Sequence, residues 1–226
     1  MAPTQQHPTE HTLALLKQLI AFNTVSRDSN LGLIEWARDY LQRLGCKVRL
    51  TYDPSGKKAN LFATYGDAPG FGTVFSGHTD VVPVDGQTWS TDPFAATLQG
   101  DRIYGRGTCD MKGFAALMLA AVPRAQAAGL RRPLQLALSY DEEVGCMAVA
   151  DLVEAMIASE LPRAESVIVG EPSMMKVVTG HKGGVGIRVR LHGYEVHSSL
   201  QPYGVSAVME GARLIQWCND MNAANA

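Results

Sequence analysis

The chain has 226 residues, 46% of them hydrophobic and 19% charged, with a formal net charge of −2. That length provides for one or two domains and a core that needs no disulfide or metal to form, and the near-neutral balance gives no sign of a nucleic-acid groove or an anionic membrane as partner. The longest apolar run, Gly113 to Val122, is far short of the ~20 residues of a membrane span.

In chain order, the polar opening "MAPTQQHPTEHT" lacks the basic and apolar regions of a secretory signal. Four cysteines stand without a C-x-x-C pair, which argues against a zinc ribbon or thioredoxin-like motif, so a reduced, cytoplasmic protein is expected. Thr9 to Phe22 reads as a helix with Leu13, Leu16 and Ile20 on one stripe, and a second runs from Asn30 to Leu44 and stops at Gly45. "CKVRLTY" and "NLFATYG" read as strands around the turn "DPSGKK", and "GTVFSGH" as a third, more apolar strand. A long loop from Thr79 to about Thr108 follows, then the Ala-rich helix Lys112–Ala128. Next come the strand "LQLALSY", a helix over Val149–Ala158 and the strand "SVIVG". Strands alternating with helices indicate an α/β domain: a mixed sheet with parallel pairs, flanked by helices.

Beyond Gly170 the pattern changes. "VGIRVRL" alternates apolar and arginine positions, as in an antiparallel strand with one wet face, and a helix is expected from Tyr203 to about Cys218, followed by a polar tail. The glycine-rich "TGHKGG" marks a joint, giving domains 1–179 and 180–226. One strand and one helix cannot enclose a core, so the second is an incomplete α+β domain.

Three expected core strands end in groups that bind metals or move protons: His78 and Asp80; Asp141, Glu142 and Glu143; Glu171. The carboxyl ends of strands in an open α/β sheet form the crevice where ligands bind. Asp110 precedes the Ala-rich helix. Each residue alone has a bland reading: His78 a structural histidine, Asp110 a helix N-cap, "DEE" a solvated loop, Glu171 a turn residue and Cys109 a small turn residue. Their convergence favours a metal centre. Imidazole with carboxylates suits Zn²⁺, Co²⁺ or Mn²⁺, and two such ions ~3.5–4 Å apart would relieve the mutual repulsion of the acids. On extended chain Glu142 and Glu143 would project to opposite sides, and Asp80 could accept the second N–H of His78. No G-x-S-x-G elbow or H-E-x-x-H helix is present, and "GRGTCD" is only a weak echo of a dinucleotide loop.

"SGHTDVVP", "GRGTCDMKG", "DEEVGC", "GEPS" and "HGYEVHSS", in this order, resemble the binuclear-zinc aminoacylase and carboxypeptidase group of metallopeptidases. The longer block around the first two is most similar to the branch that removes acetate from N²-acetyl-L-ornithine in arginine biosynthesis. The alternatives are related N-acyl-amino-acid or dipeptide hydrolases, such as those removing succinate from succinyl-diaminopimelate, and a metal-binding piece without catalysis. The resemblance implies that Asp110 bridges two zinc or cobalt ions. It implies too that His78 and Glu171 complete one site, Glu143 belongs to the other, and Glu142 is the general base. It makes Asp80 the orienter of His78, and His197 an oxyanion donor from a lid domain through which such chains form homodimers. The partner it implies is a small N-acyl amino acid, with no nucleic acid and no membrane. Members of the group return to the catalytic domain after the lid and supply a last histidine beside Glu143. His181 and His192 are poor substitutes for it. One complete and one incomplete metal site, reduced stability and little hydrolysis are therefore expected of these 226 residues.

Overall fold

A computed structural model describes residues 9–67, 71–158, 163–180 and 182–225. The polar start through Pro8, and His181, lie outside the described residues. The chain divides into two compact units, Met1–Val177 and Val178–Ala226.

The first unit is built on a five-stranded sheet in the order β1-β2-β6-β3-β7. Its strands are β1 (Lys47–Tyr52), β2 (Ala59–Tyr65), β3 (Gly72–His78), β6 (Leu134–Ser139) and β7 (Ala164–Val169). β2 runs antiparallel to both β1 and β6, whereas β3 is parallel to β6 and to β7. Every residue of β6 is buried, as befits a central strand covered on both faces.

The helices are α1 (Glu10–Ala21), α2 (Leu31–Arg43), α3 (Lys112–Ala128) and α4 (Ala148–Ile157). Thr9 caps α1 by accepting the Thr12 N–H at 3.2 Å. α1, α2 and α3 cover one face of the sheet, where Leu19, Ile20, Ile34, Leu41 and Leu119 pack with Leu61, Leu136 and Leu138. Each such side chain contributes roughly 1.5–3 kcal/mol. On the other face Leu152 of α4 meets Phe62, Val74 and Ala137. Among the described residues no helix is long and apolar enough to cross a membrane.

One departure lies in the long loop. Thr97–Gln99 (β4) and Arg102–Tyr104 (β5) pair as an antiparallel hairpin across Gly100 and Asp101. Gly100 has φ +61°, a conformation glycine adopts without penalty.

In the second unit the strand expected over Val185–Leu191 is not formed. Val185 and Ile187 are 84% and 79% exposed, and the one described pairing is an isolated bridge, Tyr194 to Val205. Alternation makes a strand only where another strand and a core receive it. The last helix starts later than expected and includes the expected tail. A 3-10 turn occupies Ser198–Tyr203, and α5 runs Ala207–Ala224, with Ser206 accepting the Met209 N–H at its start.

Buried polar bonds tie the end of β3 to its neighbours. Thr79 donates its N–H and its hydroxyl to the Ser139 carbonyl, each at 2.9 Å. Asn30 donates to the Ala59 carbonyl at 2.9 Å and to the Thr79 hydroxyl at 3.0 Å, and accepts the Ala59 N–H at 2.9 Å. Asn30→Ala leaves buried backbone groups unpaired and is expected to cost about 2–4 kcal/mol, read as a lower urea midpoint at unchanged m-value. A loss below about 0.5 kcal/mol would show that these bonds are replaced.

Candidate metal centre

The parallel register sets the carboxyl ends of three strands side by side. His78 pairs with Ser139, and Ser76 with Val169. One turn beyond these ends stand Asp141–Glu143 and Glu171. Asp110 reaches the same place from the turn before α3. Lys112 N–H bonds the Gly107 carbonyl at 2.9 Å, and Gly107 has φ +82°, with a Cβ there falling 2.7 Å from Val81 Cγ1. Only glycine fits that approach. Asp110 is no N-cap, since the cap position of α3 is Met111 and no side chain bonds there.

The geometry centres on His78, which is 1% exposed. Its Nε2 lies 3.0 Å from Asp110 Oδ1, 3.7 Å from Glu171 Oε1 and 3.8 Å from Glu142 Oε2. Ligand atoms of His78, Asp110 and Glu171 all fall within 4.8 Å of one another. The acid side chains are open to solvent, 51% exposed for Asp110 and 40% for Glu171, so an ion and a small molecule can reach them. Glu143 is not among that trio, but it shares its field. Burial raises the Glu143 carboxyl above the usual range, and Asp110, Glu142 and Asp80 add to the rise against the pull of His78. Glu171 is raised by burial and by Asp110, Glu142 and Glu143, again opposed by His78. Burial alone pulls the His78 imidazole down, yet Asp80, Glu171 and Asp110 together overcome it and hold it up at about 9. A lone imidazole facing three carboxylates is a site short of positive charge, and its donors, one nitrogen with carboxylate oxygens, fit a divalent ion of the zinc or cobalt type.

The other face of His78 differs in detail from expectation. Nδ1 donates to the backbone carbonyl of Asp80 at 2.9 Å, with the Asp80 carboxylate farther off at 3.4 Å. That carboxylate accepts instead from the Ser26 hydroxyl at 2.6 Å and from the Glu142 and Glu143 N–H groups at 3.1 and 3.3 Å. Burial would raise Asp80, but His78, Ser26 and the Glu142 N–H outweigh it and leave the carboxyl below its ordinary value. Glu142 and Glu143 stand in a turn and not on extended chain, so their stances follow from these amide anchors. Asp141 pairs with Lys58 at 2.5 Å.

His197 lies in the second unit. Its Nδ1 accepts the Ser199 N–H at 3.2 Å, which leaves Nε2–H as a donor in the neutral ring.

Sequence reasoning missed Ser26, Lys58 and Lys112. Lys112 is 1% exposed and donates to the Leu19 and Phe22 carbonyls at 3.1 and 2.8 Å, at the end of α1 where carbonyls lack helical partners. A lysine in the first turn of a helix, against the macrodipole, was the available signal. A cavity of about 840 Å³ lined by Phe71, Phe75, Leu130 and Ile168 lies at the opposite, amino-terminal ends of β3 and β6, away from the acids.

Residues 74–221 match the family model described as Peptidase family M20/M25/M40. Two curated relatives, the acetylornithine deacetylases of Pasteurella multocida (strain Pm70) and Edwardsiella ictaluri (strain 93-146), are each 36% identical over 203 residues. The match takes in 87% of this chain and 52% of each relative, so the chain spans about half the length of the curated relatives it matches. Among solved structures, human carnosine dipeptidase 1 superposes with a TM-score of 0.61 at 26% identity, over 70% of this chain and 38% of that one. The metallo-carboxypeptidase Sso-CP2 from Sulfolobus solfataricus gives 0.62 at 26% identity, over 72% and 37%.

Proposed function

This chain belongs to peptidase family M20/M25/M40, a family of metal-dependent hydrolases, and from that premise we propose that it carries the catalytic machinery for hydrolysing an N-acyl amino acid, N²-acetyl-L-ornithine foremost. The observation that carries the reading is the His78 Nε2 facing Asp110, Glu142 and Glu171 within 3.8 Å. The 36% identity to acetylornithine deacetylases over 87% of the chain supports the choice of substrate.

His78, Asp110 and Glu171 would hold a divalent ion, zinc or cobalt, and Asp110 and Glu143 would serve a second. When bound, such ions supply Lewis acidity for the acyl carbonyl and the attacking water. Glu142 takes the proton of that water and returns it to the departing amine. The Nδ1–H bond to Asp80 fixes the tautomer of His78 and keeps Nε2 available as a ligand. The family resemblance makes His197 the candidate donor to the oxyanion, an interaction worth about 3 kcal/mol. On the same proposal the first unit is the catalytic domain and the second belongs to a lid that serves homodimer formation, in a cytoplasmic enzyme. A substrate panel on a full-length version tests the assignment: faster turnover of a succinylated amino acid than of acetylornithine would reverse it.

The electrostatics predict a proton count. With His78 held up at about 9, the metal-free imidazole is protonated at about pH 7.5 and must lose its Nε2 proton to ligate. Zinc binding there should release about one proton from His78 per site filled. Affinity should fall about tenfold per pH unit below that pKa and level off above it. Calorimetric titrations in buffers of different ionisation enthalpy read this directly, and buffer-independent heats would mean the imidazole is already neutral.

A further inference from the structure

We propose that Ser26 and Lys58 are positioning residues that set the stance of the tandem acids Glu142 and Glu143, Ser26 through Asp80 and Lys58 through Asp141. The inference rests on the metal-centre reading above but adds two residues that no motif marks.

Asp80, 2% exposed, is the hub. Its carboxylate gathers the Ser26 hydroxyl at 2.6 Å with the main-chain N–H groups of Glu142 and Glu143. A buried carboxylate satisfied by several donors is fixed by all of them, so removing one lets the others shift. The hydroxyl arrives already placed. Ser26 N–H donates to the Val81 carbonyl at 3.2 Å, Val81 N–H to the Thr24 carbonyl at 3.1 Å, and Val25 bridges Val81 in parallel. The segment bearing Ser26 is therefore laced to the segment bearing Asp80.

Lys58 clamps the other end of the turn. Its ammonium pairs with Asp141 and also donates to the carbonyl of Ser26. The two paired side chains are only 17% and 23% exposed, so the pair is shielded from the screening that weakens surface bridges. Lys58 is itself held by Asp53, which accepts its N–H at 2.8 Å. Asp141 has φ 58°, a conformation a non-glycine residue keeps only where its surroundings over-determine it. Cys146 N–H closes the turn on the Asp141 carbonyl at 2.9 Å. The turn carrying both acids is thus pinned at its first residue by Lys58 and at its next two amides by Asp80, with Ser26 joining the two clamps.

The test is amide hydrogen exchange on the metal-free chain, followed by zinc titration. Ser26→Ala should speed exchange at Glu142 and Glu143 about tenfold or more, leave the β2 and β6 amides unchanged, and weaken zinc about 10–100-fold. Ser26→Thr, which keeps the hydroxyl, should restore both readouts. Lys58→Met should loosen the same amides and Lys58→Arg restore them, a second route if the alanine variant does not fold. Unchanged exchange at both amides in a folded variant overturns the inference, as does faster exchange with wild-type zinc affinity. A wild-type chain that takes up no zinc counts against the proposed metal centre instead, and the exchange result still decides this inference.

Discussion

Asp110→Asn should lower the affinity of the chain for zinc by more than about 100-fold. Removing a group that only orients a ligand costs about 10–100-fold, and the proposed centre makes Asp110, 3.0 Å from the His78 Nε2 and within reach of Glu171, a ligand itself. The substitution keeps the shape and deletes the charge that two ions would share. Its effect on the metal-free fold should be small, within about 0.5 kcal/mol, because Asp110 caps no helix and the loss of its pairing with His78 is offset by relief of the repulsion it adds to the burial that raises Glu143 and Glu171. Metal competition against a chelator, with thermal unfolding of the metal-free protein beside it, separates the two effects. Wild-type affinity in the variant would remove Asp110 from the site.

The tandem acids should part company. In a full-length homologous chain, the substitution matching Glu142→Gln is expected to retain zinc while hydrolysis of the proposed substrate, acetylornithine, falls by about 10²–10⁴-fold, the range for losing a general acid–base group. Glu143→Gln should lower metal occupancy. The asymmetry follows from the roles proposed for two neighbours in one turn, since glutamine preserves shape and hydrogen-bonding reach but cannot take up the water's proton. Occupancy by elemental analysis and rate by ornithine release, on the same preparations, provide the comparison. Equal metal loss in both variants would show that the two roles are misassigned.

Much of the first unit is legible in the sequence because its signals are local. The Leu13, Leu16 and Ile20 spacing and Thr9 mark α1, and "LQLALS" is apolar enough to mark a central strand, buried throughout. The convergence of His78, Glu142 and Glu171 follows from their places at strand ends. Other features needed partners that the sequence does not name. Ser26 meets Asp80 across 54 positions and Lys58 meets Asp141 across 83, with no spacing rule to connect them. The β4–β5 hairpin was detectable, since Gly100-Asp101 between alternating residues is a hairpin signal, but each strand is only three residues long. The opposite error arose at "VGIRVRL". Its alternation is genuine, yet Val185, Ile187 and Val189 remain exposed, because a strand pattern states what a segment can bury and not whether a partner is present. The side chain of Asp80 was legible and its partner was not: the backbone carbonyl at 2.9 Å takes the His78 N–H.

The proposed metal centre requires His78 to be a ligand through Nε2, in a cluster completed by carboxylates from the neighbouring strand ends. Imidazole ¹⁵N resonances followed during zinc titration test this most directly, with the His78→Ala variant supplying the assignment. The expected result is that the His78 Nε2 signal moves to the metal-bound range at stoichiometric zinc while its Nδ1 keeps its proton. Zinc uptake that leaves the His78 ring unchanged and shifts another histidine would contradict it.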